Sequence, residues 1–368
     1  MAWLLIVNSI FFVVTLSEYL ICMKYITNQY NYKNQWFNVL LSVMFTPFYS
    51  CFFFQNWGRL KGYFAPERRH FLKYPVGTAV LYTVETVLVF YALNTATLSY
   101  YTILRSGFII FNIPWFKYLL KKPVTRLYYA GCGALVVSHS VAVAQYITHY
   151  ADADTGVGLI TIIIFVSCFL NSAYNNVIEY AMTRHGGGGG GITNVDFQIL
   201  FQVSYFLIAV PWALIYTMEY TPPITTTTLT MYFFIAFGLQ LYMFNKIYIL
   251  NHKDTTIPAN ILLGGLDLVR RVIQLTYSFV CFNEPFDAMI GVSLAFLGLS
   301  GGLLLFQYIQ DYRAGAGAGA IGIELSLSRK RHHRFIDADD AHDTDDADYA
   351  HDADDEAIGV GARAELSV

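Results

Sequence analysis

The chain has 368 residues, of which 55% are hydrophobic, 17% are aromatic and only 13% are charged, with a formal net charge of −3. Soluble domains carry about 25% charged residues, so this composition excludes an ordinary soluble protein and indicates an integral membrane protein. The net charge hides an asymmetry, because 12 of the 26 acidic residues follow Ile336, where Arg363 is the one basic residue, and the preceding part of the chain is therefore basic.

Ten apolar stretches are long enough to cross a membrane, since a helical span needs about 20 mostly apolar residues. These predicted spans one to ten cover residues 2–24, 36–57, 74–94, 97–120, 127–147, 157–182, 196–217, 229–250, 256–282 and 287–309. The connections between them are short, which predicts an all-α integral membrane protein without large extramembrane domains. The first stretch lacks a basic start and a small-residue cleavage site, so we predict an uncleaved span.

Lysine and arginine lie mainly on one side of this arrangement. If the N-terminus is cytosolic, the basic residues after spans two, four, six and eight and in the C-terminal tail are cytosolic as well, while Lys24 and Lys33 lie on the opposite side. Cytosolic loops carry an excess of Lys and Arg, so the pattern predicts that both termini are cytosolic. Lys246 is counted here as a residue that flanks the cytosolic turn after span eight.

The two halves of the chain resemble each other. Span four is followed by KKP, which ends at Pro123, and span nine is followed by NEP, which ends at Pro285; a Gly- and Ala-rich helix comes after each proline. Inverted repeats with a binding site near the midplane are a transporter architecture. We therefore predict ten helices in a five-plus-five inverted repeat, with repeats over residues 1–150 and 151–311 and a disordered cytosolic tail over residues 312–368, basic and then acidic.

Polar residues at helical spacing mark span nine. Asn260, Asp267, Arg271 and Gln274 fall on one stripe of a helix, and Arg270 lies beside it. A charge at the bilayer centre costs about 2.5–3.5 kcal/mol, so such residues usually mark a transport pathway or a binding site. Asp267 and Arg271 are also spaced to pair at i,i+4, which leaves one arginine over.

Further charges lie inside other predicted spans. Glu85 in span three and Arg105 in span four belong to one helical hairpin, so Glu85 is either the partner of Arg105 or a carrier of a proton or cation. Tyr101 shares the helix face of Arg105. Glu18 in span one and Glu179 in span six complete the acidic residues that are predicted as charge partners or coupling groups.

Three intramembrane arginines predict an anionic substrate, because the guanidinium fork matches phosphate or carboxylate oxygens bidentately. The predicted substrate-binding residues are Arg105, Arg270, Arg271, Gln274, Tyr101 and Asn260. The sequence holds no HExxH or Walker motif and no CxxC pair, so it predicts no enzyme, catalytic residue, metal site, cofactor or nucleic-acid partner. A run of glycines at Gly186–Gly191 is predicted to be a flexible insert.

Two segments resemble the drug/metabolite transporter superfamily, and within it the nucleotide-sugar transporters and triose-phosphate translocators. They are FYALNTATLSYYTILRSGFIIF at 90–111 and LVRRVIQLTYSFVCFNEPFDAMIGVSLAFLGLSG in spans nine and ten. The resemblance implies an inverted repeat, alternating access and exchange of anionic metabolites, with Arg105 and the pair Arg270 and Arg271 holding the substrate anion. The chain departs from the family pattern in its missing serine-rich lysine motif, its Arg-Arg pair and the added Asp267.

The sequence thus predicts a secondary active antiporter of a phosphorylated or nucleotide-linked organic anion, such as a nucleotide sugar, in an endomembrane of the Golgi or ER type. Membrane lipid is a predicted partner, and a homodimer is left open. One alternative keeps the fold and changes the cargo to amino acids, organic cations or divalent metal, with Glu85 and Glu18 as the key groups. Another is a receptor or scaffold that does not transport and whose acidic tail recruits partners.

Overall fold

The computed structural model describes residues 2–30, 39–40, 42–43, 46–150, 156–185, 192–217, 225–250 and 259–310. Almost all of these residues are helical, and none of them belongs to a strand. The predicted tail over residues 312–368, the glycine run and the start of predicted span two lie outside the described residues.

The helices follow the predicted spans closely. They are α1 Ala2–Tyr30, α2 Thr46–Gln55, α3 Lys73–Thr95, α4 Leu98–Arg105, α5 Phe108–Pro114, α6 Arg126–Tyr150, α7 Val157–His185, α8 Asn194–Thr217, α9 Thr226–Leu250, α10 Ala259–Cys281 and α11 Ala288–Gln310. Short helical turns lie between α2 and α3, at Trp57–Leu60, Lys61–Phe64 and Arg69–Phe71, and a π-helical turn at Trp115–Leu120 follows α5.

Seven of the described helices are long and apolar enough to cross a membrane, as expected of an all-α, multi-pass integral membrane protein. They comprise α1, α3, α6, α7, α8, α9 and α11. Predicted span two is described only in part, predicted span four is divided into α4, α5 and the π turn, and α10 carries three charges near its middle. The count of ten spans stays a prediction.

Helices of the predicted first repeat pack mainly on helices of the second. α1 packs on α9 and α10, and α3 packs on α7 and α8, while α4 contacts α6, α7 and α10. In a five-plus-five arrangement the α1–α9 interface and the α7–α3 interface are equivalent pairs. These helix–helix contacts bring the charged residues of α3, α4 and α10 into one region.

The break in predicted span four lies directly after Arg105. The backbone N–H groups of Ser106 and Gly107 donate to carbonyls three residues earlier, at 3.2 and 3.0 Å, which is a 3₁₀ geometry within an α-helical stretch. A Cβ at Gly107 would lie 3.1 Å from the carbonyl oxygen of Leu104 and 3.3 Å from the ring of His139. The glycine therefore lets the broken segment pack closely against α6.

The turns that follow the two predicted equivalent spans, four and nine, have the same backbone form. Lys121 and Asn283 have φ of 54° and 51°, and they are the non-glycine residues with positive φ in the described part of the chain. The next N–H groups, of Lys122 and Glu284, each donate to the carbonyl six residues earlier, at 3.0 and 3.3 Å. Each bond is one residue wider than the bond of a Schellman ending, which reaches back five residues, and the two turns share this wider form.

Candidate functional site

A small cavity lies between α1, α3, α4, α7, α9 and α10. Its volume is about 30 Å³, which is room for water and not for an organic substrate. The charged residues that line it are Glu85, Arg105, Asp267, Arg270 and Arg271, and four tyrosines form much of the remaining wall, Tyr82, Tyr101, Tyr174 and Tyr242. The structure therefore brings all three predicted arginines to one place.

Asp267 binds both arginines of α10. Arg270 donates to Oδ1 from Nε and Nη2 at 2.9 and 2.5 Å, and Arg271 donates to Oδ2 from Nε at 2.7 Å. The pair of Asp267 with Arg271 that the i,i+4 spacing predicts is confirmed, and Arg270 shares the same carboxylate. Arg271 also donates from Nη1 to the carbonyl of Thr102 at 2.5 Å, which ties α10 to α4.

One nitrogen of this cluster has no acceptor among the residues that the structure describes. Nη1 of Arg270 is buried and makes no hydrogen bond to any described residue, although Arg270 lines the cavity. A buried donor without an acceptor costs about 1–3 kcal/mol, and more when the group is charged. Such a donor is therefore ready to bind an acceptor oxygen that enters the cavity.

Arg105 forms an ion pair with Glu85, and both side chains are buried. Nη1 of Arg105 donates to the hydroxyl oxygen of Ser167 on α7 at 3.0 Å, and the amide of Asn171 lies 3.4 Å from the Glu85 carboxylate. Glu85 was predicted to be either the partner of Arg105 or a carrier of a proton or cation, and in the structure it is the partner of Arg105. The pair joins α3 to the end of α4, where the helix breaks.

Lys246 on α9 is wholly buried, with 0% exposure. Its Nζ lies 2.8 Å from the hydroxyl of Tyr174 and 2.6 Å from that of Tyr242, and both of these tyrosines line the cavity. Lys246 lies one turn before the end of α9 at Leu250, but its side chain is buried in the bundle and does not extend toward the loop. A single lysine near the end of an apolar stretch usually marks a loop, and the signal for a buried role was Tyr242 one helical turn earlier.

The cavity and its immediate wall carry an excess of positive charge. Among the described residues there are four cationic side chains and two carboxylates, which leaves a formal net charge of +2. The cations are Arg105, Lys246, Arg270 and Arg271, and the carboxylates are Glu85 and Asp267. Buried charges need partners, so this arrangement is suited to an anion with about two negative charges.

Of the other predicted substrate-binding residues, Gln274 and Tyr101 lie next to the cluster of arginines, but Asn260 does not. Tyr101 lines the cavity, and Gln274 lies one turn after Arg271, wholly buried, with neither side-chain polar atom bonded to a described residue. Asn260 donates its amide to Asn176 and Glu179, at the N-terminus of α10. Both of these contacts position the helix.

Glu179 and Glu18, predicted as charge partners or coupling groups, lie outside the lining of the cavity. Glu179 accepts from the backbone N–H groups of Ala259 and Asn260 at 3.0 and 3.1 Å and pairs with Lys122 at 3.2 Å. Glu18 is partly exposed on α1, and its carboxylate makes no hydrogen bond or ion pair with the described residues. The structure therefore gives Glu179 the role of a charge partner.

Amide and hydroxyl groups join α5, α7 and α10 behind the cavity. The Asn112 side-chain oxygen accepts from Ser172 at 2.7 Å and from Asn176 at 2.8 Å, and Asn260 donates to Asn176 at 3.1 Å. Side-chain hydrogen bonds of this kind hold helices together inside membranes. They fix α10, and with it the arginine pair, against α7.

The fold and the site define a multi-pass helical membrane protein with a buried cationic centre at the meeting of six helices. The chain matches no known family model, and it matches no curated protein. The resemblance to the drug/metabolite transporter superfamily stays an expectation, and the function is argued below from the site itself.

Proposed function

We propose that this protein is a secondary transporter that binds an organic anion in the central cavity and moves it by alternating access. The observation that carries the proposal is the formal charge of +2 around the cavity, with Nη1 of Arg270 buried and unpaired among the described residues. Arg105, Arg270 and Arg271 are the substrate-binding residues. Glu85 and Asp267 orient the arginines and partly neutralise them while the site is empty.

The substrate is a phosphorylated or nucleotide-linked anion, and transport is an exchange. Guanidinium groups bind phosphate oxygens bidentately, and two neighbouring arginines together match the several oxygens of one phosphate. An empty site with excess positive charge is costly to carry through the membrane, whereas a loaded site is close to neutral. The loaded protein therefore changes its facing more readily than the empty one, which favours antiport.

The proposed architecture has ten spans in a five-plus-five inverted repeat, with both termini cytosolic. The matched turns at Lys121 and Asn283 and the equivalent α1–α9 and α7–α3 interfaces support the repeat. A site between the two halves near a broken helix is common in secondary transporters. A location in a Golgi- or ER-type endomembrane rests on the resemblance to nucleotide-sugar transporters.

The cavity must enlarge before a metabolite enters it, because its volume is about 30 Å³. The break after Arg105 and the left-handed residues Lys121 and Asn283 are places where predicted spans four and nine can change direction. Closing of helices around a bound substrate excludes water and strengthens its contacts with the arginines. We propose that the described state has the site closed.

The test is exchange in proteoliposomes loaded with nucleotide sugars, sugar phosphates or nucleoside monophosphates. Arg271→Ala should abolish exchange, and Arg270→Gln should reduce it about 10-fold or more, since a charged hydrogen bond is worth about 1.5–3 kcal/mol. The matched control is Arg126→Ala, because Arg126 is exposed at the start of α6. Exchange by both arginine variants at the wild-type rate would contradict the proposal.

The same experiment separates the alternatives. Uptake that needs a proton gradient and no counter-substrate would favour a carrier of amino acids, organic cations or metal. Truncation after Tyr312 should leave exchange intact, since the site lies wholly before that residue. A protein that exchanges none of these solutes would point to the receptor or scaffold.

A further inference from the structure

The contact between Lys246 and two tyrosines is unusual for a membrane interior. Nζ of Lys246 lies within 2.8 Å of both hydroxyl oxygens, and it also lies over the two rings, 4.3 Å from the Tyr174 centroid and 4.8 Å from the Tyr242 centroid. No carboxylate of the described residues pairs with this lysine. A buried charge without an ionic partner is costly, so we expect Lys246 to have a function that offsets this cost.

The chemistry of the two groups fixes the direction of the hydrogen bonds. An ammonium group has three donors and no acceptor, whereas a tyrosine hydroxyl has one donor and accepts through its oxygen. Lys246 therefore makes Tyr174 and Tyr242 accept, and each O–H hydrogen is directed toward a different acceptor. Both tyrosines line the cavity, on the side of α7 and α9.

The two rings are held in place by other aromatic residues. Tyr82 meets Tyr174 edge to face at a centroid distance of 5.6 Å, and Phe12 lies 5.2 Å from the ring of Tyr242. Aromatic pairs at such distances stabilise a fixed ring geometry. The hydroxyl groups are therefore held in place relative to the arginines of α10.

We propose that Lys246 is a positioning residue that turns the hydroxyl groups of Tyr174 and Tyr242 into donors to the substrate anion and makes the site select a dianion. The inference rests on the proposed function and names the charge state of the group that the site takes. A phosphate monoester carries close to two charges above its second pKa of about 6, whereas a phosphodiester carries one. The arginines bind either form, and Lys246 adds the preference for the doubly charged one.

The test compares two probes that differ in charge and little in size, methyl phosphate and dimethyl phosphate. Their dissociation constants are measured at pH 7.5 on the full-length protein in nanodiscs, by thermal stabilisation or calorimetry. The wild type should bind methyl phosphate about 10-fold more tightly than dimethyl phosphate, because the second negative charge of methyl phosphate adds Coulomb attraction to the cationic side chains of the site. Lys246→Met should bring the ratio of the two constants close to one, and Lys246→Arg should restore part of it.

A double-mutant comparison tests whether Lys246 acts through the tyrosines. In the background Tyr174→Phe with Tyr242→Phe, the substitution Lys246→Met should change the ratio of dissociation constants by less than about twofold. If Lys246→Met reduced the preference for methyl phosphate equally in the wild type and in the double-phenylalanine background, the positioning role would be overturned. Tyr242→Phe alone removes one hydroxyl and no charge, so it can be measured even if Lys246→Met fails to fold. It should also lower the preference for methyl phosphate over dimethyl phosphate.

The control is Lys73→Met, because Lys73 is an exposed lysine whose Nζ lies 5.1 Å from the ring centroid of Tyr74. It should leave both dissociation constants unchanged. A wild type that binds neither probe and exchanges no phosphorylated solute would contradict the proposed function. A wild type that binds methyl phosphate and keeps its preference in Lys246→Met and Tyr242→Phe would overturn only the role of Lys246.

Discussion

Glu284 and Glu179 bind the first backbone N–H groups of α4 and α10 in the same bidentate way. Glu284 accepts from the first two residues of α4 at 2.7 and 2.9 Å, and Glu179 accepts from the first two residues of α10 at 3.0 and 3.1 Å. A carboxylate at a helix N-terminus satisfies free N–H groups and opposes the helix dipole. Each helix that brings arginines to the cavity is therefore anchored at its start by a glutamate.

The lysines near these glutamates extend the correspondence. Lys122 pairs with Glu179 at 3.2 Å, and Lys24 interacts electrostatically with Glu284 while its Nζ donates to the carbonyls of Leu93 and Ala96. Lys122 and Glu284 each directly precede the proline that follows predicted spans four and nine, Pro123 and Pro285. Each of the two anchoring glutamates therefore has a lysine nearby, as an ion-pair partner for Glu179 and as a more distant charge for Glu284.

Removal of the Glu179 carboxylate should destabilise the protein. Glu179→Ala leaves the N–H groups that begin α10 without their acceptor and leaves Lys122 without its partner, so we expect a loss of about 1–3 kcal/mol in the free energy of unfolding. Thermal unfolding in detergent measures it. Glu67→Ala is the control, because Glu67 is exposed and should change the free energy by less than about 0.5 kcal/mol. Equal melting temperatures for the two variants would contradict the anchoring role.

Removing one partner of the ion pair between Glu85 and Arg105 should destabilise the protein more than removing both. Glu85→Gln leaves a buried guanidinium without its counter-charge, and breaking a buried pair in this way costs about 3–5 kcal/mol. The double variant Glu85→Gln with Arg105→Gln should be more stable than Glu85→Gln alone, although it should not exchange anions. Thermal unfolding and exchange are measured on the same preparations. A double variant no more stable than the single one would show that the pair is not the source of the loss.

The broken region of predicted span four should tolerate no side chain at Gly107. Gly107→Ala places a methyl group 3.1 Å from a backbone carbonyl and 3.3 Å from the His139 ring, so the structure must shift, at a cost of about 1–3 kcal/mol. Gly133→Ala on α6 is the matched control, because a Cβ there meets nothing within 4 Å and alanine favours a helix by about 1 kcal/mol. Opposite changes in melting temperature are expected, and a rise in both variants would contradict this account of the break.

The contact at the start of α11 predicts a dependence of stability on pH. Asp287 accepts from the N–H of Ile290 at 2.8 Å, and this bond, together with contacts to His149 and Gln145, holds the pKa of the Asp287 carboxyl below its usual range. A carboxyl whose pKa is lower in the folded state stabilises the fold above its unfolded pKa of about 3.9. That stabilisation is lost as the pH falls through the folded value.

Asp287→Asn tests this dependence, because asparagine can still cap the helix but does not titrate in this range. The difference in melting temperature between the wild type and Asp287→Asn should therefore be largest near pH 5 and shrink toward pH 2.5. Melting temperatures at half-unit steps of pH measure it. A difference that stays constant over this range would contradict the contribution of the carboxylate.

Composition and periodicity alone predicted the membrane class and the helices. Apart from span four, which is broken, and span two, which is described only in part, the apolar stretches became helices with ends about six residues or fewer from the predicted ones. The pair of Asp267 with Arg271 is local to one helix. Both follow from contacts between residues near each other in sequence, which spacing of 3 or 4 residues specifies. The stripe on span nine therefore pointed to the arginine cluster before any tertiary contact was known.

Tertiary packing decided what spacing leaves open. Lys246 was expected only to flank a turn, yet α7 and α9 bury it between two tyrosines. For Glu179 the pattern left a charge partner and a coupling group open, and the structure pairs it with Lys122 and with the start of α10. The partner of Arg105 and the size of the cavity likewise depend on how α3, α4 and α7 meet. The spacing of residues along one helix determines which face of that helix is polar. The residues that this face contacts come from distant parts of the chain, so only the packing of the helices determines which residues pair.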